Sequence, residues 1–172
     1  MSNINLLVFL RFMFIISSQI LIFNNILVLG VSPNIYLIFL IIFPLNYNKS
    51  IMYFYMFFAG IVLDLFSNTY GIITFSLLIS SLLRIYFLKF SFGHFDASKV
   101  RKTADYIRET SLYQKLTFLI LMFFSHQLIL YSVEAFSFEK FAWIVKKTLL
   151  STIISIILSY IFILIFFNKN AR

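Results

Sequence analysis

This chain has 172 residues, of which 62% are hydrophobic and 12% are charged, and its formal net charge is +8. Soluble domains are about 45–50% apolar and about 25% charged, so the composition excludes a water-facing surface over most of the chain. The sequence contains no cysteine, which excludes disulfides, thiolate metal sites and cysteine nucleophiles. The basic excess is typical of membrane proteins with lysine- and arginine-rich cytoplasmic loops, so we expect no nucleic-acid partner.

Six apolar segments predict an all-α integral membrane protein, a bundle of about six transmembrane helices in contact with the lipid bilayer. A helix needs about 20 apolar residues to cross about 30 Å of hydrocarbon. We expect one polytopic membrane domain over residues 1–172, with spans at 6–23, 33–47, 50–66, 71–90, 116–136 and 147–167. The first span is too long for the apolar core of a cleavable signal peptide, and no small-x-small site follows it.

The second span is the shortest of the six. As a helix it would be about 22 Å long at 1.5 Å per residue, less than the hydrocarbon thickness, and Pro44 lies near its end. Such a segment crosses only where the bilayer is thinned or where neighbouring helices shelter it. If it does not cross, the number of spans falls to five.

The distribution of Lys and Arg among the loops predicts the orientation. Cytoplasmic loops carry the excess of basic residues. If the N-terminus is cytoplasmic, the outer loops hold only Lys140, Lys146 and Lys147, and the other loop and tail cations lie inside. We therefore expect both termini in the cytoplasm, together with the basic loop 91–115. Ser98 could cap a short helix in that loop, which would lie on anionic lipid or dock a cytoplasmic partner.

A tight antiparallel hairpin is predicted around the five-residue turn 67–71. Gly60, Asp64 and Ser67 are spaced by four and three residues, so they share one face of the third helix. The glycine permits close approach of a neighbouring backbone, and hydroxyls or N–H groups of the fourth helix can satisfy the carboxylate. We predict a helix-packing seam formed by Gly60, Asp64, Ser67 and Gly71, with a structural role rather than a catalytic one.

Other polar residues also fall within the spans. Arg11 and Arg84 lie near the cytoplasmic ends of their helices, and we expect both to snorkel to the headgroups. His126 and Glu134, together with Asp64, allow a metal site or a proton relay to be drawn. However, the sequence has no His-x-x-x-His or His-Glu-x-x-His pairing. We therefore expect no catalytic residue, metal or cofactor, and interpret His126 and Glu134 as polar or partner contacts.

The sixth span carries a stripe of serines one turn apart, Ser151, Ser155 and Ser159. Small residues at this spacing favour close helix–helix contact in membranes. The stripe packs either inside the bundle or against another protein, and the sequence leaves both options open.

Residues 34–84 resemble the rod shape-determining protein family MreD. The resemblance consists of a short second span entered through a proline, then a span ending in Gly-x-x-x-Asp-x-x-Ser, then a glycine that opens the next span. Here these residues are Pro33, Gly60, Asp64, Ser67 and Gly71. Residues 125–136 are also similar to the corresponding span in some MreD proteins.

The resemblance implies a fold and a set of partners. The fold would be a helical bundle similar to the S components of energy-coupling-factor transporters. The function would be that of a non-enzymatic scaffold subunit of the bacterial cell-elongation (Rod) complex in the cell inner membrane, helping to regulate cell shape and peptidoglycan synthesis. Its direct partner would be an MreC-like bitopic protein, with RodA, a class B transpeptidase and MreB bound indirectly or in the same complex.

Two other functions compete with the scaffold. The first is a solute-binding subunit of a transporter, which needs an outward polar cavity that Asp64 and Glu134 could line. Against it, the first span lacks an Ala-x-x-x-Ala pattern and the outer loops are short. The second is an enzyme, which would have to work in lipid with one Asp, one Glu and one His.

Overall fold

The computed structural model describes residues 2–45, 48–93 and 111–167. The predicted Ser98 helix and the basic C-terminal tail lie outside the described residues. Within them the chain forms six α-helices: α1 Ser2–Leu21, α2 Leu37–Ile42, α3 Lys49–Ser67, α4 Ile72–Phe92, α5 Leu112–Ala135 and α6 Phe141–Phe167. Short 3-10 turns at Phe23–Asn25 and Phe138–Lys140 follow α1 and precede α6.

The predicted all-α membrane fold is confirmed. Five helices, α1 and α3 to α6, are long and apolar enough to cross a membrane. The fifth helix begins at Leu112, earlier than the predicted 116, because Ser111 forms a capping box with Gln114. In that motif each side chain satisfies a backbone N–H of the other residue, which fixes the start of a helix even where the following residues are polar.

The predicted helix over 33–47 is wrong in extent. Only Leu37–Ile42 is helical, about 9 Å of helix, and residues 33–36 enter it as irregular backbone. Residues 33–41 are all buried by the surrounding helices. Irregular backbone is tolerated at membrane depth only where protein or a water-filled cavity shields it from lipid. The segment is therefore sheltered by its neighbours, which is one of the two conditions that the sequence allowed.

The direction of α1 relative to α3 shows that the second segment returns through the bundle. Near the middle of both helices the Phe12 and Tyr55 rings are 5.1 Å apart. Just beyond the end of α1, Asn24 donates a hydrogen bond to Ser67, the last residue of α3. The earlier residue of α1 contacts the earlier residue of α3, and the later one contacts the later one. The two helices are therefore parallel. The chain between them must travel back along the bundle, and it does so as the buried segment around α2.

The other neighbouring helices alternate in direction. α3 and α4 pack together across a short turn, as do α5 and α6, so each pair is antiparallel. α4 and α5 are antiparallel as well, because Ser80 contacts His126 while Phe92 contacts Phe118. We call the end of the bundle with the α3–α4 turn the Asn68 end, and the end where α3 begins the Lys49 end. The described chain both begins and finishes at the Lys49 end.

α2 lies at the centre of the core. Its Phe39 ring packs edge-on against Phe12 of α1 and Tyr55 of α3, with centroids 5.3 and 5.7 Å apart, and against Phe43, 5.6 Å away. Edge-to-face aromatic pairs contribute about 0.5–1.5 kcal/mol beyond the area that they bury. This aromatic cluster fixes the short helix among the long ones.

Candidate functional site

Asp64 holds the start of α4. Its carboxylate accepts the backbone N–H groups of Ile73 at 3.0 Å and Thr74 at 2.9 Å, and the hydroxyls of Thr69 and Thr74 at 2.5 Å each. The side chain is only 7% exposed. The first N–H groups of a helix have no partner within the helix, and negative charge is favourable at its N-terminus. The carboxylate of α3 thus acts as the cap of α4 from across the turn.

Gly60 brings the backbones of α3 and α4 into contact. A Cβ atom added there would lie 2.4 Å from Thr74 Cα and 2.6 Å from its hydroxyl oxygen. No side chain fits in that space, so glycine is required for this approach. Together with Asp64, Gly60 places the two helices close enough for the carboxylate to reach the N–H groups of α4.

The other two residues of the predicted seam lie elsewhere, which corrects that prediction. The Ser67 hydroxyl accepts a hydrogen bond from Asn24 at 3.0 Å, so it connects α3 to the turn after α1. A Cβ on Gly71 would meet nothing within 4 Å, and its φ of +94° puts it in the left-handed region. Gly71 is therefore needed for the turn conformation and not for helix packing. The packing seam consists of Gly60, Asp64 and Thr74.

Gln19 of α1 supports the irregular entry to α2. Its Oε1 accepts the N–H groups of Ile35 at 2.8 Å and Tyr36 at 3.3 Å, and its Nε2 donates to the Pro33 carbonyl at 3.0 Å. Buried backbone groups outside regular structure need such partners. Gln19 is 1% exposed, so one amide replaces the helical hydrogen bonds that this stretch lacks.

Asn34 connects the same segment to α5 and α6. Its backbone N–H donates to the Ser155 hydroxyl at 3.0 Å, and its side-chain Nδ2 donates to Gln127 Oε1 at 2.9 Å. The sequence interpretation missed Gln19, Asn34 and Gln127. A signal was present, since each is an amide placed among apolar residues and such groups face the bundle interior.

His126 belongs to a buried chain of three side chains. Its Nε2 lies 2.8 Å from the Tyr36 hydroxyl and its Nδ1 lies 3.0 Å from the Ser80 hydroxyl. Ser80 already donates its proton to the Ser76 carbonyl at 2.7 Å. Ser80 can then only accept from the ring, so the hydrogen-bond network assigns the proton to Nδ1 and leaves Nε2 to accept from Tyr36. His126 thereby links α5 to the α2 segment and α4.

Arg84 does not snorkel, which corrects the sequence interpretation. It is 5% exposed. Its Nη2 donates to the carbonyls of Phe43 at 2.5 Å and Ile41 at 3.4 Å, and its Nη1 lies 3.3 Å from Met52 sulfur. The last carbonyls of a helix lack hydrogen-bond donors within the helix. At the end of α2, Arg84 supplies the donors. Arg11 is only partly buried.

The serine stripe of α6 faces the bundle interior. Ser151 and Ser155 are fully buried and Ser159 is nearly so. Ser155 accepts the hydrogen bond from Asn34 described above. Of the two options left open by the sequence, the structure places the stripe inside the bundle.

A chamber of about 680 Å³ opens at the Asn68 end. Polar and aromatic residues line it, including Asn24, Asn34, Tyr36, Glu134, Trp143 and Lys147. Lys147 Nζ donates to the Gly30 carbonyl and lies 5.8 Å from the centre of the Trp143 ring, which ties the loop after α1 to α6. Glu134 is exposed in this chamber, whereas Asp64 and His126 do not line it.

The three residues considered for a metal site, Asp64, His126 and Glu134, do not lie together in the structure. Asp64 caps α4, His126 is bonded to Tyr36 and Ser80, and Glu134 lies in the chamber. Among residues 2–45, 48–93 and 111–167, no group of three His, Cys, Asp or Glu side chains is placed to hold a metal ion. Comparison with known proteins finds no matching family model, no matching curated protein and no matching solved structure.

Proposed function

We propose that this chain is a non-enzymatic membrane scaffold of the MreD type, a subunit of the bacterial cell-elongation machinery. In this role it binds an MreC-like bitopic protein in the cytoplasmic membrane and thereby helps to regulate cell shape and peptidoglycan synthesis. The resemblance of residues 34–84 to MreD supports the identity of the complex. RodA, a class B transpeptidase and MreB would be reached through that partner.

One observation carries the proposal: four buried polar side chains of the described bundle bond to backbone groups and hold them in place. Asp64 caps α4, Gln19 and Ser155 accept backbone N–H groups at the entry to α2, and Arg84 donates to carbonyls at its end. Catalysis needs reactive groups that face a substrate, and these groups face peptide bonds. Polar side chains used in this way rigidify a membrane protein, which suits a subunit whose task is to present a fixed surface.

The lateral surface is compatible with a partner's transmembrane helix. Large apolar side chains are exposed along the outside of the helices, including Leu6, Leu10, Phe54, Phe58, Ile153 and Ile157. In lipid such a surface is satisfied either by acyl chains or by another apolar helix. Helix association in membranes depends on close packing, so a rigid bundle offers a better docking surface than a mobile one.

The test is capture of the MreC-like protein encoded in the same cell. Membranes containing the tagged wild-type chain, Asp64→Ala or Glu134→Ala are solubilised in mild detergent, and the captured partner is compared per amount of monodisperse tagged protein. We expect Asp64→Ala to lose most of the partner, because α4 loses its cap. Glu134→Ala removes an exposed carboxylate and should capture the partner normally.

Normal capture by a well-folded Asp64→Ala protein would refute the role given to that residue. No capture by the wild type would refute the scaffold function.

The chamber at the Asn68 end favours a second candidate, a solute-binding subunit of a membrane transporter. Small-molecule sites are typically concave and about 300–1,000 Å³ in volume, with a few convergent polar groups, and the chamber has about 680 Å³. A thermal-unfolding screen of the purified chain with vitamins and metal ions distinguishes the two functions. A saturable stabilising ligand whose effect is lost in Glu134→Gln favours transport, whereas no stabilising ligand favours the scaffold.

A further inference from the structure

A second cavity lies at the Lys49 end, and neither candidate function uses it. Its volume is about 80 Å³, and it lies between the end of α2, the start of α3 and the inward face of α4. A single water molecule needs roughly 10–15 Å³ of such space, so a group several times larger than water fits. Its polar lining residues are Arg84, Lys49, Ser81 and Tyr53.

Arg84 brings a buried positive charge to this cavity with incomplete compensation. Its guanidinium donates to two carbonyls and the Met52 sulfur, while Nε is buried without a hydrogen-bond partner. It makes no ion pair with a carboxylate of the described residues, because Asp64, Glu134 and Glu139 all lie at the Asn68 end. Backbone carbonyls carry only partial charges, so the buried guanidinium keeps a net positive charge at membrane depth. An anion in the cavity would neutralise that charge.

Lys49 adds a second positive charge to the lining of this cavity. Lys49 is the first residue of α3, is exposed and lines the cavity, while Ser81 is buried in its wall. The terminal nitrogens of Arg84 are already bonded to the carbonyls and the sulfur, so Arg84 would attract an anion through its charge, and lysine binds phosphate as a point charge. Within the part of the chain that the structure describes, no acidic residue lines this cavity.

We propose that the cavity at the Lys49 end binds a phosphate group, held by Arg84 and Lys49. The headgroup of an anionic phospholipid and free inorganic phosphate share this chemistry. The Lys49 end is the cytoplasmic end in the orientation expected from the basic loops, where the leaflet is anionic. The inference is independent of the scaffold and transport proposals, because it concerns a different end of the molecule.

The test uses the full-length chain in a neutral detergent, with phosphatidylglycerol, inorganic phosphate or chloride at matched ionic strength. Retained lipid is counted by native mass spectrometry, and the thermal midpoint is measured in each condition. Lys49→Gln removes the cation that lines the cavity. Lys89→Gln is the matched control, because Lys89 is an exposed lysine at the same end, in the last turn of α4, and does not line the cavity.

We expect phosphatidylglycerol to bind and stabilise the wild type, and Lys49→Gln to weaken that binding roughly fivefold, the effect of one lysine near an anionic surface. Lys89→Gln should leave the binding of phosphatidylglycerol unchanged.

Inorganic phosphate acting with the same dependence on Lys49, while the lipid has no effect, would assign the free anion as the ligand. Equal weakening by both variants would indicate diffuse attraction only, and that result, or no effect of either phosphate source, overturns the proposal.

Discussion

At the residue scale, Gly60 determines whether α3 and α4 can approach as closely as Asp64 requires. A Cβ there would overlap the backbone of Thr74 at 2.4 Å. The two helices would have to separate, and the carboxylate would then lose its hydrogen bonds to the N–H groups of Ile73 and Thr74. Packing and capping therefore depend on the same residue.

We expect Gly60→Ala to destabilise the protein by about 1–3 kcal/mol, the usual cost of overpacking. The sign of this change in stability is informative, because Gly→Ala inside an unconstrained helix stabilises a protein by about 0.5–1 kcal/mol. The measurement is denaturant unfolding in detergent micelles, with Phe57→Ala as the control because Phe57 lies on the same helix and is exposed. A more stable Gly60→Ala protein would show that the helices are not in contact at this point.

Asp64 and Gly60 could be recognised from sequence because their roles follow from local spacing. A glycine and an acid four residues apart lie on one helix face, and the turn that follows brings the next helix back to that face. Arg84 could not be assigned in the same way. Its partners are the carbonyls of Ile41 and Phe43, more than 40 positions away, and helical periodicity carries no information about them.

At the element scale, the second crossing depends on side chains from other helices. Gln19 holds its start, together with His126, which bonds the Tyr36 hydroxyl, and Arg84 holds its end. The sequence predicted a short segment that crosses either a thinned bilayer or the shelter of neighbouring helices. It did not show that the backbone leaves the helical conformation. A short apolar run has the same hydrophobic pattern whether it is helical or extended and fully buried.

We expect Gln19→Leu to be strongly destabilising, although leucine is the more apolar residue. The substitution leaves the N–H groups of Ile35 and Tyr36 buried without an acceptor, at a cost of about 1–3 kcal/mol for each unsatisfied group. Ser17→Leu on the exposed side of α1 is the control and should be neutral. If both variants unfold at the wild-type midpoint, Gln19 does not hold the entry to α2.

The Tyr36–His126 contact is measurable by a double-mutant cycle. Polar contacts between helices in membranes average about 0.6 kcal/mol in such cycles, with a maximum near 1.7 kcal/mol. We expect Tyr36→Phe and His126→Phe to show a coupling in this range. Tyr36→Phe and Ser151→Ala, which share no described hydrogen bond, should be additive. A coupling of zero in the first cycle would contradict the hydrogen bond.

At the scale of the whole molecule, the number of crossings follows from the direction of α1 relative to α3. Hydropathy alone finds five long apolar helices, and five crossings would put the two ends of the chain on opposite sides. The parallel arrangement of α1 and α3 requires a sixth passage, which the buried segment provides. The loop after α1 and the turn before α6 must then lie on the same side of the membrane, opposite the start of α3.

Single-cysteine labelling tests this arrangement, and the natural chain has no cysteine to interfere. Leu27→Cys, Glu139→Cys and Ser50→Cys each place one thiol at an exposed position, in the loop after α1, before α6 and at the start of α3. With the Lys49 end in the cytoplasm, an impermeant maleimide should label Leu27→Cys and Glu139→Cys in intact spheroplasts, and Ser50→Cys only after lysis.

In a five-crossing protein Leu27 and Ser50 would lie on the same side, so identical labelling of these two variants would contradict the sixth passage. Labelling of Ser50→Cys alone in intact spheroplasts would instead keep the six passages and reverse the orientation.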